Sequence, residues 1–283
     1  MSVKVESTDN IFETADVSVL CDSLENEQFF ELLKTTSNDL VLVKKTISNL
    51  LNVFLQKNKR PLYEKTLNGL KAIIDKVNPW FTTNIMESVI HCMKVANRTQ
   101  KEYAYLLLIY IIEKNGTEIR YTMPQLIPLI SSDINDVITN IKKNASVALE
   151  KIMGCSGNID LNAFIPVVLK GIQDNKTIYD AIEALASCVF VQNVEAPALS
   201  ITVPIIMRGL NDKKTATRRL TCVIIDNMCK LIEHPKEILP FYANMKSTLE
   251  RCNDTMSDPE ARKVSTRALN TLKESCAENE NKV

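Results

Sequence analysis

Apolar residues recur along this chain at the three- to four-residue spacing of amphipathic helices, and the pattern itself repeats at a fixed interval. Two residue types mark the repeat, namely prolines followed by two apolar residues, and aspartates. They are Pro128, Pro166 and Pro204, and Asp136, Asp174 and Asp212, and one constant interval separates successive members of both sets. Each unit is therefore predicted to have a proline near the start of a first helix, a turn at the aspartate, and a second apolar helix.

The aspartates explain where each second helix begins. An aspartate at a helix start accepts hydrogen bonds from backbone N–H groups that have no partner inside the helix, which stabilises the helix by typically ~1 kcal/mol. Asp258 precedes Pro259, and Ser257 with Glu260 has the spacing of a capping box, so a last helix is predicted from this point. The step from Asp212 to Asp258 exceeds the repeat interval, which predicts a connection about eight residues longer before this helix.

Towards the N-terminus the period is less regular, but helical patterns continue through 28–56, 62–77 and 85–114. The sequence thus predicts an all-α protein, an α-solenoid of about six HEAT-like helical pairs, over 26–276. An acidic and flexible segment is predicted before it at 1–25, and a polar tail after it at 277–283. An irregular helical bundle is the alternative architecture.

Composition supports helices and makes the charge a local property. Only 6 of the 283 residues are glycine, while 45% are hydrophobic, which suits a large helical core. The chain has no net charge, so it is not a general polycation. Residues 1–40 nevertheless carry 2 basic and 9 acidic groups, residues 41–80 carry 8 and 2, and residues 205–239 carry 7 and 4. Contacts with partners are therefore expected to be local as well.

No enzymatic, metal or membrane site is indicated. The eight cysteines lack ligand-like spacing and only two histidines accompany them, so neither a metal nor another cofactor is expected. His91 and Cys92 are adjacent, but neighbours on a helix point about 100° apart and do not form a catalytic dyad. The longest apolar run, 103–112, is too short for a membrane span, and no secretory signal is apparent. We expect a soluble, cytoplasmic protein with reduced thiols and no small-molecule substrate.

Basic residues at matching places in the repeats form the candidate binding surface. The pair Lys142 and Lys143 is separated from the pair Arg218 and Arg219 by twice the repeat interval, so the two pairs should occupy equivalent positions. At the intervening position Asp180 and Ala181 interrupt the basic stripe. The primary candidates are Lys142, Lys143, Lys213, Lys214, Arg218, Arg219, Arg262 and Lys263, and the secondary candidates are Lys57, Lys59 and Arg60. Such a ridge could meet phosphates or acidic protein loops. The alternative is that these residues are solvated or have intramolecular partners.

The stretch 218–235 places two polar residues, Asp226 and Asn227, inside an otherwise apolar helix. Buried polar atoms require hydrogen-bond partners, so we expect the pair to satisfy backbone groups or to bridge to the next repeat. The predicted role is structural, as it is for Asp136, Asp174, Asp212 and Asp258.

Several stretches carry a family likeness. The runs ALSITVPIIMRGLNDKKTATRRLTCVIIDNMCKLIEHP (198–235) and DPEARKVSTRALNTLK (258–273) closely resemble the end of the HEAT domain of translation elongation factor 3. KVNPWF (76–81) and MPQLIPLIS (123–131) are similar to helix ends of the same domain, in the same order. The middle of the large ribosome-associated activator of the starvation-response kinase is a second relative. Elongation factor 3 also contains ABC-type ATPase cassettes, but the six glycines here do not form a phosphate-binding G-x-x-x-x-G-K-[ST] loop.

The resemblance implies a non-enzymatic module that binds the ribosome, through ribosomal protein and rRNA, during translation elongation. Whether the polypeptide is a free-standing relative or a domain of a longer factor stays open. The alternative function is a general protein–protein scaffold, such as a kinase-pathway adaptor or a cytoskeletal binder, without ribosome binding.

Overall fold

The computed structural model describes residues 40–55 and 60–277, apart from the side chains of residues 42, 53 and 60–62. Within these ranges the chain forms α-helices and short 3-10 segments joined by turns, with no β-strand. The helices are α1 (Leu40–Leu55), α2 (Arg60–Lys76), α3 (Thr82–Val95), α4 (Arg98–Ile119), α5 (Met123–Asp133), α6 (Thr139–Met153), α7 (Ile159–Asn162), α8 (Ile165–Gln173), α9 (Ile178–Ser187), α10 (Ala196–Leu210), α11 (Thr215–Cys229), α12 (Pro235–Thr255) and α13 (Pro259–Cys276).

The predicted all-α class of HEAT-like pairs is confirmed. With the single-turn α7 counted with α8, the described helices follow one another in chain order as six pairs. They are divided between two compact units. The first unit contains the described residues up to 122 together with 136–151, and the second contains 123–135 and 152–277.

In the first unit, α1 packs against α2 and α3 packs against α4, while contacts of α1 with α3 and of α2 with α4 stack the two pairs. The core consists of large side chains that water does not reach, including Leu50, Phe54, Leu70, Met86 and Leu108. On α6, Asn140 bonds Glu102 of α4 at 2.9 Å, and Lys151 pairs with Glu113 of α4 at 3.0 Å. Stacking of pairs thus buries an apolar core that no single pair could bury.

The second unit repeats this arrangement more regularly. The first helices of its last three pairs, α8, α10 and α12, contact each other in that order, and so do the second helices, α9, α11 and α13. Helix α5 also packs against α10. Because each pair contacts its neighbours through both helices, the turns within the pairs lie along one edge of the stack and the connectors between pairs lie along the other.

The repeating prolines do not all stand where the sequence predicts. Pro166 is at the first turn of α8, but Pro128 and Pro204 lie inside α5 and α10. A proline inside a helix removes one backbone hydrogen bond, at a cost of roughly 3 kcal/mol. In α10 residues 196–203 are all buried, so packing of the additional turns outweighs this cost. The prediction that the proline marks the helix start is therefore wrong for these two helices.

The longer step before the last helix also has a different origin. Helix α12 has 21 residues and α10 has 15, while the turn that follows α12 comprises only residues 256–258. The predicted longer connection is therefore wrong, because the extra residues extend the first helix of the pair. The register of α9 also departs from the constant interval: its buried residues include Ile178, Ile182 and Leu185, and the helix ends at Ser187, so Phe190 lies beyond it.

Two glycines, Gly171 and Gly209, allow the helices of a pair to approach closely. A Cβ atom at Gly171 would lie 2.8 Å from the Cβ of Ala181, and one at Gly209 would overlap the side-chain oxygen of Thr221. Both distances are shorter than side-chain carbons normally tolerate. The glycines are themselves separated by the repeat interval, so they belong to the repeat.

Other sequence expectations fall partly outside this description. The acidic segment 1–25, the residues Lys57 and Lys59, and the tail beyond 277 lie outside the described residues. Arg60 begins α2, and its side chain also lies outside them. Among the helices that are described, none combines the length and the apolar character needed to span a membrane.

Candidate partner-binding surface

The turns within the pairs of the second unit share one backbone design. Asp174, Asp212 and Asp258 each accept a hydrogen bond from the backbone N–H two residues further on, at 2.9, 2.7 and 3.1 Å. Asp136 does the same for Ile138 in the first unit, at 2.8 Å. These carboxylates replace backbone acceptors that the helix start lacks. The repeated aspartate therefore fixes the direction in which each turn presents its neighbouring side chains.

Neighbouring turns of the second unit are tied together by arginines. Arg208 donates to the carbonyl oxygens of Gly171 and Ile172 at the end of α8, at 2.7 and 3.1 Å. Arg251 of α12 donates to the side chain of Asn211 at 2.7 Å. We call this surface the turn edge, and it comprises residues 174–180, 207–219 and 251–263. Because side-chain bonds join consecutive turns, the turns hold fixed positions relative to one another.

Two of the predicted binding residues are used within the protein. Arg262 donates from Nε and Nη2 to the carbonyl oxygen of Met256, at 3.1 and 2.6 Å, and so satisfies the end of α12. Arg218 is half-buried and donates to the hydroxyls of Thr255 and Thr215, at 3.1 and 3.4 Å. These arginines brace the last two pairs, so they are less available to a partner than the sequence suggests.

The remaining candidates of the turn edge are exposed. Lys213, Arg219 and Lys263 have no ion-pair partner among the described residues. Lys214 holds its ammonium group 5.7 Å from the centre of the Tyr179 ring, and that ring is 41% exposed. Four solvent-facing cations on a braced edge can attract phosphate or carboxylate groups.

A groove of about 680 Å³ lies between two of these turns. Ile178 and Met207 form part of its lining on the apolar side, while Lys213 and Lys214 contribute cationic groups. The groove therefore combines an apolar surface with positive charge, which suits a loop of a macromolecular partner better than a small polar ligand.

One cation of the turn edge, Lys176, is not among the residues predicted from the sequence. Lys176 is exposed, and its backbone N–H bonds Asp174 just as that of Lys214 bonds Asp212. The two lysines are separated by the repeat interval, so the repeat could have predicted Lys176 from Lys214.

The burial pattern corrects the alignment of the middle repeat. Ala181 is fully buried, and the exposed residues Tyr179 and Asp180 take the places that match Arg218 and Arg219. The basic surface is thus continued by a turn residue and not by the helix.

Lys142 and Lys143 belong to the first unit and are described on their own. Both are exposed near the start of α6, beside the buried Ile141. Their helix follows a turn in which Asp136 also lies 3.9 Å from Arg98. They are therefore accessible cations near a helix start that follows an aspartate-containing turn, and Lys142 is more exposed than its counterpart Arg218.

Asp226 is a buried joint between pairs. It is only 1% exposed, and its carboxylate accepts hydrogen bonds from Thr271 of α13 at 2.7 Å and from Lys230 at 2.8 Å. Arg267 of α13 adds an ion pair at 2.9 Å. Burial by itself would raise the pKa of Asp226, but the bonds from Lys230 and Thr271 and the charge of Arg267 outweigh it and lower that pKa.

The carboxylate therefore connects α11 to α13, whereas Asn227, expected to share its buried position, is exposed. Adjacent helical residues point about 100° apart, so only one of the two can face the neighbouring helix. Arg267, a partner that was not predicted, lies in the middle of α13, and no basic residue stands one repeat interval before it.

The histidine–cysteine pair at 91–92 and the possible metal ligands can be located among the described residues. His91 is exposed, whereas burial raises the pKa of the neighbouring Cys92 thiol to about 12. A thiol with that pKa is not a nucleophile near neutral pH. Across residues 40–55 and 60–277, no group of three or more histidine, cysteine or acidic side chains is placed to hold a metal ion.

Comparison with known proteins identifies the relatives of this chain. Residues 176–283 match the family model described as "Elongation factor 3/GNC1 HEAT repeat". "Elongation factor 3" of Pneumocystis carinii is 37% identical over 201 residues, which are 71% of this chain and 19% of that protein. "Elongation factor 3B" of Saccharomyces cerevisiae is 34% identical over 206 residues, 72% of this chain and 20% of that protein. The chain is thus homologous to a segment of fungal elongation factor 3, and the predicted resemblance is confirmed.

The chain spans about a fifth of the length of these curated relatives. Among solved structures, the archaeal HEAT-like repeats protein from Thermococcus onnurineus NA1 aligns with a TM-score of 0.38 and 9% identity. That alignment covers 93% of this chain and 98% of the archaeal chain.

Proposed function

We propose that this chain is a non-enzymatic, cytoplasmic module that binds the ribosome during translation elongation, as a relative of the HEAT-repeat segment of elongation factor 3. Its partners are ribosomal proteins and rRNA, and it needs no cofactor. The homology to elongation factor 3 supports the link to translation. The matched segment, residues 176–283, begins at Lys176 and contains the rest of the exposed cations of the turn edge.

The observation that carries this proposal is the set of exposed cations on braced turns. Lys213, Lys214, Arg219 and Lys263 face solvent, while Arg218 and Arg262 make their hydrogen bonds within the protein. Positive groups carried on braced turns attract the phosphates of rRNA or acidic loops of ribosomal proteins, and counter-ion release makes such binding weaken as salt rises. The arrangement offers charge and shape to a partner but no reacting group, so binding is the function that it supports.

A charge-reversal experiment tests the assignment of the surface. The variant replaces Lys213, Lys214, Arg219 and Lys263 with glutamate and is sedimented with purified ribosomes at low salt. We expect its affinity to fall by at least about 100-fold, since four favourable charge contacts become repulsive. Helicity measured by circular dichroism should stay at the wild-type level because all four side chains are exposed.

A second quadruple variant controls for net charge. It replaces four exposed lysines outside the turn edge, Lys94, Lys170, Lys236 and Lys273, with glutamate. It should retain most of the binding, because it changes the total charge equally while leaving the turn edge intact. Equal loss in both variants would show that only net charge matters. Unchanged binding in the turn-edge variant would remove that surface from the proposal, and a folded wild-type chain that binds no ribosomes would favour a scaffold of another kind.

A further inference from the structure

The connectors between pairs in the second unit expose apolar side chains on the edge opposite the turns. Ile159 is 69% exposed, Val189 is 78% exposed and Val191 is 74% exposed. We call these three residues the connector patch. The first begins the short α7, and the other two belong to the non-helical connector between α9 and α10. Single exposed apolar residues are common, but three on adjoining segments require an explanation.

Hydrogen bonds hold the two segments of the connector patch together. The carboxylate of Asp160 accepts from the backbone N–H groups of Val191 and Gln192, at 2.7 and 2.8 Å. The side chain of Gln192 returns a bond by accepting from the backbone N–H of Ile159 at 2.8 Å. Polar groups therefore hold the two segments that carry the three apolar side chains next to each other, while those side chains remain in water.

Further contacts anchor the connector at both ends. The Cys188 thiol lies 3.5 Å from the carbonyl oxygen of Asp160, and the backbone N–H of Val194 bonds the carbonyl oxygen of Leu231 at 2.9 Å. Asn158 caps α7 by accepting from the backbone N–H of Leu161 at 3.2 Å. A connector fixed in this way does not need exposed β-branched residues for its own stability. Because such side chains have few rotamers, ordering them against a partner would cost little side-chain entropy.

The chemistry of the patch favours a protein partner over RNA. The segments 156–163 and 188–195 contain no lysine or arginine, and their charged residues are Asp160 and Glu195. Phosphates would gain no attraction there, whereas apolar side chains of another protein would be removed from water by contact. These two segments therefore differ from the turn edge, which carries the exposed cations Lys213, Lys214, Arg219 and Lys263.

We infer that the connector patch docks against apolar side chains of a ribosomal protein, and that it supplies the salt-resistant part of ribosome binding. This inference rests on the proposed ribosome-binding function and deepens it by assigning a second surface with a protein partner. The two surfaces divide the contact: the turn edge gives charge-dependent affinity, and the connector patch gives apolar contact that ionic strength does not screen.

The test compares the double variant Val189→Ser and Val191→Ser with wild type in sedimentation with purified ribosomes over a salt series. We expect about a ten-fold loss of affinity at every salt concentration, with the slope of log affinity against log salt unchanged. The matched control is Val95→Ser with Val137→Ser, two valines that are 53% and 81% exposed in the first unit. This control should bind like wild type.

The outcomes separate the two proposals. If wild type binds ribosomes and the patch variant binds as well as its control, the connector-patch inference is wrong while the proposed function stands. If folded wild type binds no ribosomes at low salt, the proposed function itself fails. A photo-crosslinking residue, p-benzoylphenylalanine, at position 189 gives an independent measurement. Crosslinks to a ribosomal protein support the inference, and crosslinks only to rRNA overturn it.

Discussion

Replacing Asp226 with asparagine tests whether the buried carboxylate joins the last two helical pairs. The substitution keeps the shape of the side chain and an oxygen that can accept from Thr271, but removes the negative charge. The bonds to Lys230 at 2.8 Å and to Arg267 at 2.9 Å then lose their charged acceptor. The perturbation is therefore confined to the charge of one side chain that is 1% exposed.

The structure also sets the size of the effect. Removing one partner of a fully buried ion pair typically costs about 3–5 kcal/mol of stability. Here the cationic partners are 55% and 59% exposed and can regain water when the carboxylate is lost. We therefore expect a smaller loss in the free energy of unfolding, about 2 kcal/mol for asparagine and about 3 kcal/mol for alanine, which also leaves the Thr271 hydroxyl without its acceptor.

Urea unfolding followed by helical circular dichroism measures these losses, and native-state hydrogen exchange locates them. Protection should fall first in α13, because the joint connects that helix to α11. The neighbouring residue provides the control: Asn227 is exposed, and Asn227→Ala should change stability by no more than about 0.5 kcal/mol. Equal effects at the two positions would refute the proposed joint.

The pKa of Asp226 predicts how this effect depends on pH. Its folded-state pKa is lowered, so its charge stabilises the fold at pH values above the unfolded-state pKa of about 3.9. The difference in stability between wild type and Asp226→Asn should be complete near pH 6 and should shrink as pH falls below about 5. A difference that stays constant from pH 6 to pH 3, or grows on acidification, would refute the reasoning.

Two further substitutions test the turn design and the close packing within pairs. Gly209→Ala should lower the free energy of unfolding by about 2–3 kcal/mol, because the added carbon overlaps the Thr221 hydroxyl, whereas Gly154→Ala at an exposed turn should be nearly neutral in the same urea titration. Asp212→Ala should cost about 1 kcal/mol, because the backbone N–H of Lys214 loses its 2.7 Å acceptor. An unchanged unfolding midpoint for either Gly209→Ala or Asp212→Ala would contradict the corresponding structural role.

The sequence predicts the repeating architecture well because its signals are local. The constant spacing of the aspartates, such as Asp174 and Asp212, follows from one turn geometry used repeatedly, and each carboxylate bonds the N–H two residues away. Proline positions are less informative, since tertiary burial keeps Pro204 inside a helix despite its lost backbone bond. A constant period also fails to predict which residues are exposed in the middle repeat. There Tyr179 and Asp180, and not Asp180 and Ala181, match Arg218 and Arg219, because Ala181 is buried.

The candidate surface could be predicted only in outline. Sequence spacing identifies which basic residues recur, but it does not reveal that Arg218 and Arg262 find hydroxyl and carbonyl acceptors within the protein. Thr255, at the end of α12, becomes a neighbour of Arg218 only when the pairs stack, and the Met256 carbonyl meets Arg262 only once the turn between α12 and α13 has formed. The connector patch is equally invisible in the sequence, because Asp160 and Val191 are far apart along the chain and meet through a single carboxylate.

Sedimentation of the purified wild-type chain with ribosomes tests the proposed function most directly. We predict that the folded chain enters the ribosomal pellet at low salt and is released progressively as salt rises, with a residual component that resists salt. A chain that keeps its helical circular dichroism spectrum but remains in the supernatant at low salt would contradict ribosome binding as its function.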